Sequence, residues 1–293
     1  MNKTSIEWVR NPDGSQGYTW NPITGCLNHV NGLCKGGNFP CYAYKLANGR
    51  LKQRYLRGRE LAGIDWVEGC PVVVGQDKYE ALLKAKDDPF YPRFWEEKLL
   101  KPAKGFAGYL KTKPKGIFVC NMSDLCGIGI PEEWTRRVLE QCKIFSQHRF
   151  YLLTNQPQNP IKFSPFPENC WVGATVTNQD SLSDTLRALI DVDAKTKFLS
   201  LEPLLGEINV SFYPDEIQWV IIGQQTPVSA KTEPKVEWVR EIVNAADKAG
   251  IPVFLKDNLK PLLVTYKDGG EYAPLWANGG YGTLRQEIPS LRG

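Results

Sequence analysis

From residue 116 onward, short apolar runs alternate with segments of helical period. The runs at 116–120, 150–154, 170–176, 197–201, 218–223 and 252–255 are apolar on both alternations, as in strands covered on both faces. Helices are expected between several of them. One opens at Pro131-Glu-Glu-Trp134 with proline and acids in its first turn, and carries Trp134, Val138 and Cys142 four residues apart. Others span Asp180–Asp191 and Val236–Ala249, the latter stopped by Gly250. This alternation predicts an α/β fold with a mostly parallel sheet. Six such units, with room for two more upstream, fit a complete or partial parallel (β/α) barrel of the TIM-barrel type.

Upstream the pattern is less regular. Tyr18–Thr24 is expected as the first strand, Cys41–Arg59 as a basic helix and Pro71–Val74 as a short second strand. Residues 77–115, rich in Lys, Asp and Pro, read as a helical and loop insertion. Neither an internal repeat nor a linker divides the chain, so 1–293 reads as one domain. No stretch approaches the ~20 apolar residues of a membrane span, and the first residues lack an apolar signal core. A cytoplasmic protein without membrane contact is expected. In that reducing setting Cys70, Cys120, Cys126, Cys142 and Cys170 are expected as free thiols. A net charge of +4 permits an anionic partner, nucleic acid included, without requiring one. Lys45, Arg50, Lys52, Arg54, Arg57 and Arg59 follow the first helix signal and offer either a phosphate track or a solvated face.

Candidate chemistry concentrates in two places. The first is Cys26, Cys34 and Cys41, three thiols within sixteen residues of a Gly- and Asn-rich loop. Three ligands leave one position open. With His29 as a fourth ligand the site would be closed structural zinc; alternatively it is an iron–sulfur cluster with one free iron, or the thiols are unliganded. The second is the set of polar residues that follow the strands: Asn121, Ser123 and Asp124; Thr154 and Asn155; Thr175, Thr177 and Asn178; Glu202; Gln224 and Gln225; Lys256, Asp257 and Asn258. In a parallel sheet these share the carboxyl-terminal face, where active sites lie. Helix capping accounts for some of the Asn, Asp and Ser residues, but poorly for Glu202 and Lys256.

The strings Thr4-Ser-Ile-Glu-Trp8, Trp20-Asn-Pro-Ile-Thr-Gly-Cys26, Cys41-Tyr-Ala43, Val119-Cys-Asn-Met-Ser-Asp124, Leu199-Ser-Leu-Glu-Pro-Leu-Leu205 and Val253-Phe-Leu-Lys256 resemble a known family along nearly the whole chain. It is the phage- and prokaryote-associated three-cysteine-motif family, largely of unknown function and similar to radical S-adenosylmethionine (SAM) enzymes. The chain departs from it in having six residues between Cys34 and Cys41, where members usually have two. It also has Gly223-Gln-Gln-Thr-Pro227 in place of a Gly-Gly-Glu-Ser-Gly-like string. The resemblance implies a [4Fe–4S] cluster on Cys26, Cys34 and Cys41, with SAM chelating its open iron and an external donor supplying the electron. Reductive cleavage would give a 5′-deoxyadenosyl radical that abstracts hydrogen from a small metabolite or a nucleic-acid base. Asn121, Ser123, Asp124, Thr154, Asn155 and Glu202 are then the expected SAM contacts, and Lys256 a catalytic-site cation. The competing expectation is a zinc- or cluster-stabilised nucleic-acid-binding accessory protein without catalysis.

Overall fold

The computed structural model describes residues 1–58, 60–67, 70–72, 76–99, 112–264, 270–277 and 282–290. Its centre is an eight-stranded sheet in which spatial order follows chain order. The strands are β1 (Asn2–Lys3), β2 (Tyr18–Trp20), β3 (Gly116–Val119), β4 (Arg149–Thr154), β5 (Cys170–Thr175), β6 (Thr196–Leu201), β7 (Trp219–Ile222) and β8 (Val253–Leu255). β1 pairs antiparallel with β2, and every later neighbouring pair is parallel. The longer helices are α1 (Tyr42–Asn48), α2 (Gln76–Asp87), α3 (Glu132–Ile144), α4 (Gln179–Ile190) and α5 (Val236–Lys248). The last three cross between β3 and β4, β5 and β6, and β7 and β8. No helix among the described residues is long and apolar enough to cross a membrane.

The sheet is open, with β1 and β8 at its edges, so the closed barrel is not formed. It is nevertheless strongly curved. Phe118 on β3 and Trp219 on β7 both lie within 6.1 Å of the Trp8 ring. Four strand spacings would separate them by about 19 Å in a flat sheet. On the convex face Val119, Leu152, Val172, Leu199, Val220 and Val253 pack with Val138 of α3, Leu182 of α4 and Val239, Ile242 and Val243 of α5. On the concave face Phe118, Tyr151, Trp171, Phe198, Trp219 and Phe254 surround Trp8, which enters from the segment after β1. Both faces are dry, which is why the strands are apolar on both alternations.

The amino-terminal third departs from the sequence expectation. Tyr18–Thr24 is not one strand: Tyr18–Trp20 joins the main sheet, then Asn21-Pro22 turns the chain and Ile23–Thr24 pairs with Arg93–Phe94 in a separate sheet. Proline lacks the amide that a continuing ladder needs. The expected second barrel strand is instead a hairpin, Cys70–Val72 against Asp65–Val67, outside the main sheet; residues 73–74 lie outside the described residues. The basic helix is two, α1 and Lys52–Tyr55, separated at Gly49, and Arg59 lies outside the described residues. Of the insertion, α2 is helical and Arg93–Phe94 a strand, while 100–111 are outside the described residues.

Candidate functional site

Alternate residues of a strand share a face, so the concave side of each strand can be read from its aromatic residue onward. Tyr151 leads through Leu153 to Asn155, Trp171 through Gly173 to Thr175, Phe198 to Ser200 and Glu202, and Phe254 to Lys256. The aromatic residues form a floor with Trp8, and the polar residues stand above it at the carboxyl ends. Asn155, Thr175, Ser200, Glu202 and Lys256 all line one cavity of about 410 Å³, together with Asn121, Ser123, Asp124, Gln224 and Gln225. Its floor includes Trp8, Phe118 and Leu153, and Cys26, Cys34 and Cys41 line it too. The volume is that of a site for one drug-sized ligand.

The cysteine loop is built around a tight hairpin. His29–Val30 pairs with Leu33–Cys34, and Asn31 (φ 48°) and Gly32 (φ 84°) make the two-residue connection. Asn-Gly with both φ values positive is the favoured hairpin turn, a signal the sequence reading passed over. The Gly32 carbonyl accepts from the Cys41 amide at 2.8 Å, which returns the third cysteine to the first two. Two of the sulfurs accept a backbone N–H, Cys26 from Asn28 at 3.3 Å and Cys41 from Tyr44 at 3.4 Å. Burial pushes the Cys26 thiol up to about 12, helped by Asp124 and by the other two cysteines; it pushes Cys34 up to about 11 and raises Cys41. His29 lines the same cavity, its ring 4.9 Å from Tyr44 and 5.3 Å from Phe90. Among the described residues no three His, Cys, Asp or Glu side chains are grouped so as to hold a metal ion. The three thiols line one cavity without being gathered as ligands of a single ion.

The predicted contacts divide into two groups. Four have side chains engaged by the protein itself. Asn121 Oδ1 accepts from Asn21 at 2.7 Å, and its Nδ2 donates to the Tyr42 hydroxyl at 3.3 Å. Ser123 donates to the Gly25 carbonyl at 2.5 Å. Asp124 is buried, its Oδ2 accepting from Thr154 Oγ1 at 2.8 Å and the Asn155 amide at 3.0 Å, and its Oδ1 from the Cys126 amide at 3.2 Å. Desolvation raises its pKa against those hydrogen bonds. Thr154 is buried and, unlike the others, is not part of the cavity wall. These residues fasten the cysteine loop to the ends of β3 and β4. Cys120, at φ 55°, makes the sharp turn that allows it.

The second group faces the cavity with less protein behind it. Asn155 Oδ1 and Ser200 Oγ are buried without a hydrogen-bond partner among the described residues, although buried polar atoms are rarely left so. In the sequence Ser200 is a lone serine at the inward position of an apolar strand, the one signal that marks it. Glu202 and Lys256 are ion-paired with each other across the cavity wall. Gln224 and Asn258, also in the predicted ring, clasp one another, the Asn258 Nδ2 donating to the Gln224 carbonyl at 2.8 Å.

The family model described as "Protein of unknown function (DUF5131)" matches residues 3–260. No curated protein and no solved structure is matched.

Proposed function

The chain belongs to the DUF5131 family, and from its cavity we propose that it is a radical-SAM-type enzyme. In this reading Cys26, Cys34 and Cys41 hold a [4Fe–4S] cluster and SAM binds beside it at the strand ends of a partial barrel. The observation that carries the proposal is that three thiols share one cavity with the carboxyl ends of six parallel strands.

The residues present suit such a group. Soft thiolates favour iron–sulfur clusters, and cluster thiolates bind different irons, so they stand around a volume rather than at one point. The backbone N–H donors on the Cys26 and Cys41 sulfurs are the kind that stabilise and tune clusters. When bound, the cluster would supply the electron, received from an external donor, for reductive cleavage of SAM to a hydrogen-abstracting radical. The chain's own work is binding and shielding. Glu202 presents a carboxylate and Lys256 an ammonium side by side, complementary to an amino-acid zwitterion. Ser200 Oγ and Asn155 Oδ1 offer unused hydrogen-bonding capacity for ribose or base. Trp8, Phe118 and Leu153 close the floor to water. Asn121, Ser123, Asp124 and Thr154 serve this reading chiefly by fixing the cysteine loop.

The test is anaerobic reconstitution with iron and sulfide. About four irons per chain are expected, lost in Cys34→Ala, with an electron-spin signal on reduction and methionine released from SAM. Stoichiometric zinc without iron, abolished by His29→Ala, would replace the enzyme with the structural-zinc accessory protein.

A further inference from the structure

Between Asp13 and Glu60 the chain contains no acidic residue. At the average of 32 acids in 293 residues, a stretch of that length carries about five. It does contain Lys35, Lys45, Arg50, Lys52, Arg54, Arg57 and Arg59, so the net charge of +4 arises here and the rest of the chain has more acids than bases. This is the segment that includes all three cavity cysteines. Lys35, Lys45, Arg50, Lys52, Arg54 and Arg57 are exposed, and among the described residues none makes a side-chain hydrogen bond or ion pair. The segment does not trail away from the site: Tyr55 and Leu51 pack in one cluster with Cys26 and Cys41. The cations thus flank the cysteine side of the cavity. Leu27, Val30 and Leu33 on the loop, and Tyr42 at the start of α1, leave apolar and aromatic surface exposed.

We infer that this surface binds single-stranded nucleic acid and that the substrate of the site is a base of that strand. The inference rests on the proposed enzyme reading in one respect: a cavity of about 410 Å³ is filled by one ligand, so a second reactant must approach from the rim. Arginine predominates among residues 50–57, three against one lysine. Its guanidinium matches phosphate oxygens in a bidentate way that lysine does not. Unpaired cations beside exposed aromatic and apolar groups are the means by which proteins track a single strand, phosphates on the charges and bases on the flat surfaces. A duplex would have to extrude its base to reach the cavity, while a single strand offers it unpaired.

The test uses the full-length chain without reconstitution and fluorescein-labelled mixed-sequence single-stranded DNA and RNA, read by anisotropy. Binding should weaken at least tenfold between about 50 and 200 mM salt. The variant Arg50→Glu, Lys52→Glu, Arg54→Glu, Arg57→Glu should weaken it at least tenfold at the lower salt. If that variant does not fold, Arg50→Gln with Arg54→Gln should still weaken binding severalfold. No binding at 50 mM, or equal binding by a folded variant, overturns the inference. So does a variant that binds nucleic acid normally but loses an acidic electron-carrier protein. Nucleic-acid binding by a chain that takes up no iron and cleaves no SAM defeats the enzyme reading and leaves the surface standing; the reverse result defeats this inference alone.

Discussion

Lys256 and Glu202 form an ion pair across the end of β7, over Gly223. They directly follow β8 and β6, two strands apart, and a Cβ on Gly223 would stand 2.9 Å from Lys256 Cδ and 3.3 Å from Glu202 Cγ. Lys256, expected as a catalytic-site cation, lines the cavity together with Glu202, so the pair is part of the cavity wall.

The pair yields the first prediction. Its side chains are 15% and 25% exposed, so removing one partner costs less than in a dry core, about 1–2 kcal/mol. Lys256→Met and Glu202→Gln should each show that loss in urea denaturation. If the pair also receives SAM, Glu202→Gln weakens calorimetric SAM affinity in cluster-loaded protein by about 1–3 kcal/mol. A stability loss with unchanged affinity would make the pair purely structural.

Trp8 is the second case. It is buried and makes ring contacts with Phe118, Tyr151, Phe198 and Trp219, from four different strands. Trp8→Ala should cost about 3–5 kcal/mol in chemical denaturation. Trp8→Phe should recover part of it, since a smaller ring still reaches some of the strands. A cost below 1 kcal/mol for the alanine would mean that the floor packs without its plug.

The strands from 116 to 255 were legible because each lies between two dry faces, so apolar character is local and continuous. The amino-terminal third was not, because its order depends on partners far along the chain. Ile23–Thr24 leaves the main sheet for Arg93–Phe94, and nothing within 18–24 announces that except Pro22. Splitting of the basic helix was readable at Asn48-Gly49, as was the Asn31-Gly32 turn. The three thiols and most of the strand-end ring were legible by position. Whether a polar side chain there is free or already engaged was not: Asp124 is bound by Thr154 and Asn155, thirty residues on, whereas Ser200 is left open.

His148 gives a pH prediction remote from the cavity. It is buried, its Nδ1 accepts the Lys115 amide at 3.3 Å, and burial, aided by the Lys115 charge, lowers its pKa to about 4. The unfolded value is near 6.5, so the unfolded chain binds the extra proton first. The neutral ring's contribution is complete above pH ~6.5 and declines as pH falls toward 4, by at most about 3 kcal/mol. Urea titrations from pH 7 to 4 should show this slope, reduced in His148→Phe. An identical slope in the variant would assign the acid sensitivity elsewhere.

Ser200 separates a ligand-binding residue from a scaffold residue most directly. Its hydroxyl is buried on the concave face of β6, and Ser200 lines the cavity; among the described residues the hydroxyl has no hydrogen-bond partner. A buried hydroxyl without a partner carries a desolvation cost of about 1–3 kcal/mol that a methyl group does not. Ser200→Ala should therefore leave thermal stability unchanged or raise it, unlike a typical core substitution. If the hydroxyl is held open for a ligand, the same change should weaken SAM binding about tenfold in cluster-loaded protein, measured calorimetrically. Thr175, beside it on β5, supplies the comparison. Its hydroxyl makes no hydrogen bond among the described residues but, unlike that of Ser200, is not sealed off, so Thr175→Val should leave stability nearly unchanged. A destabilised Ser200→Ala with normal SAM affinity would show that the serine serves the sheet and not the cavity.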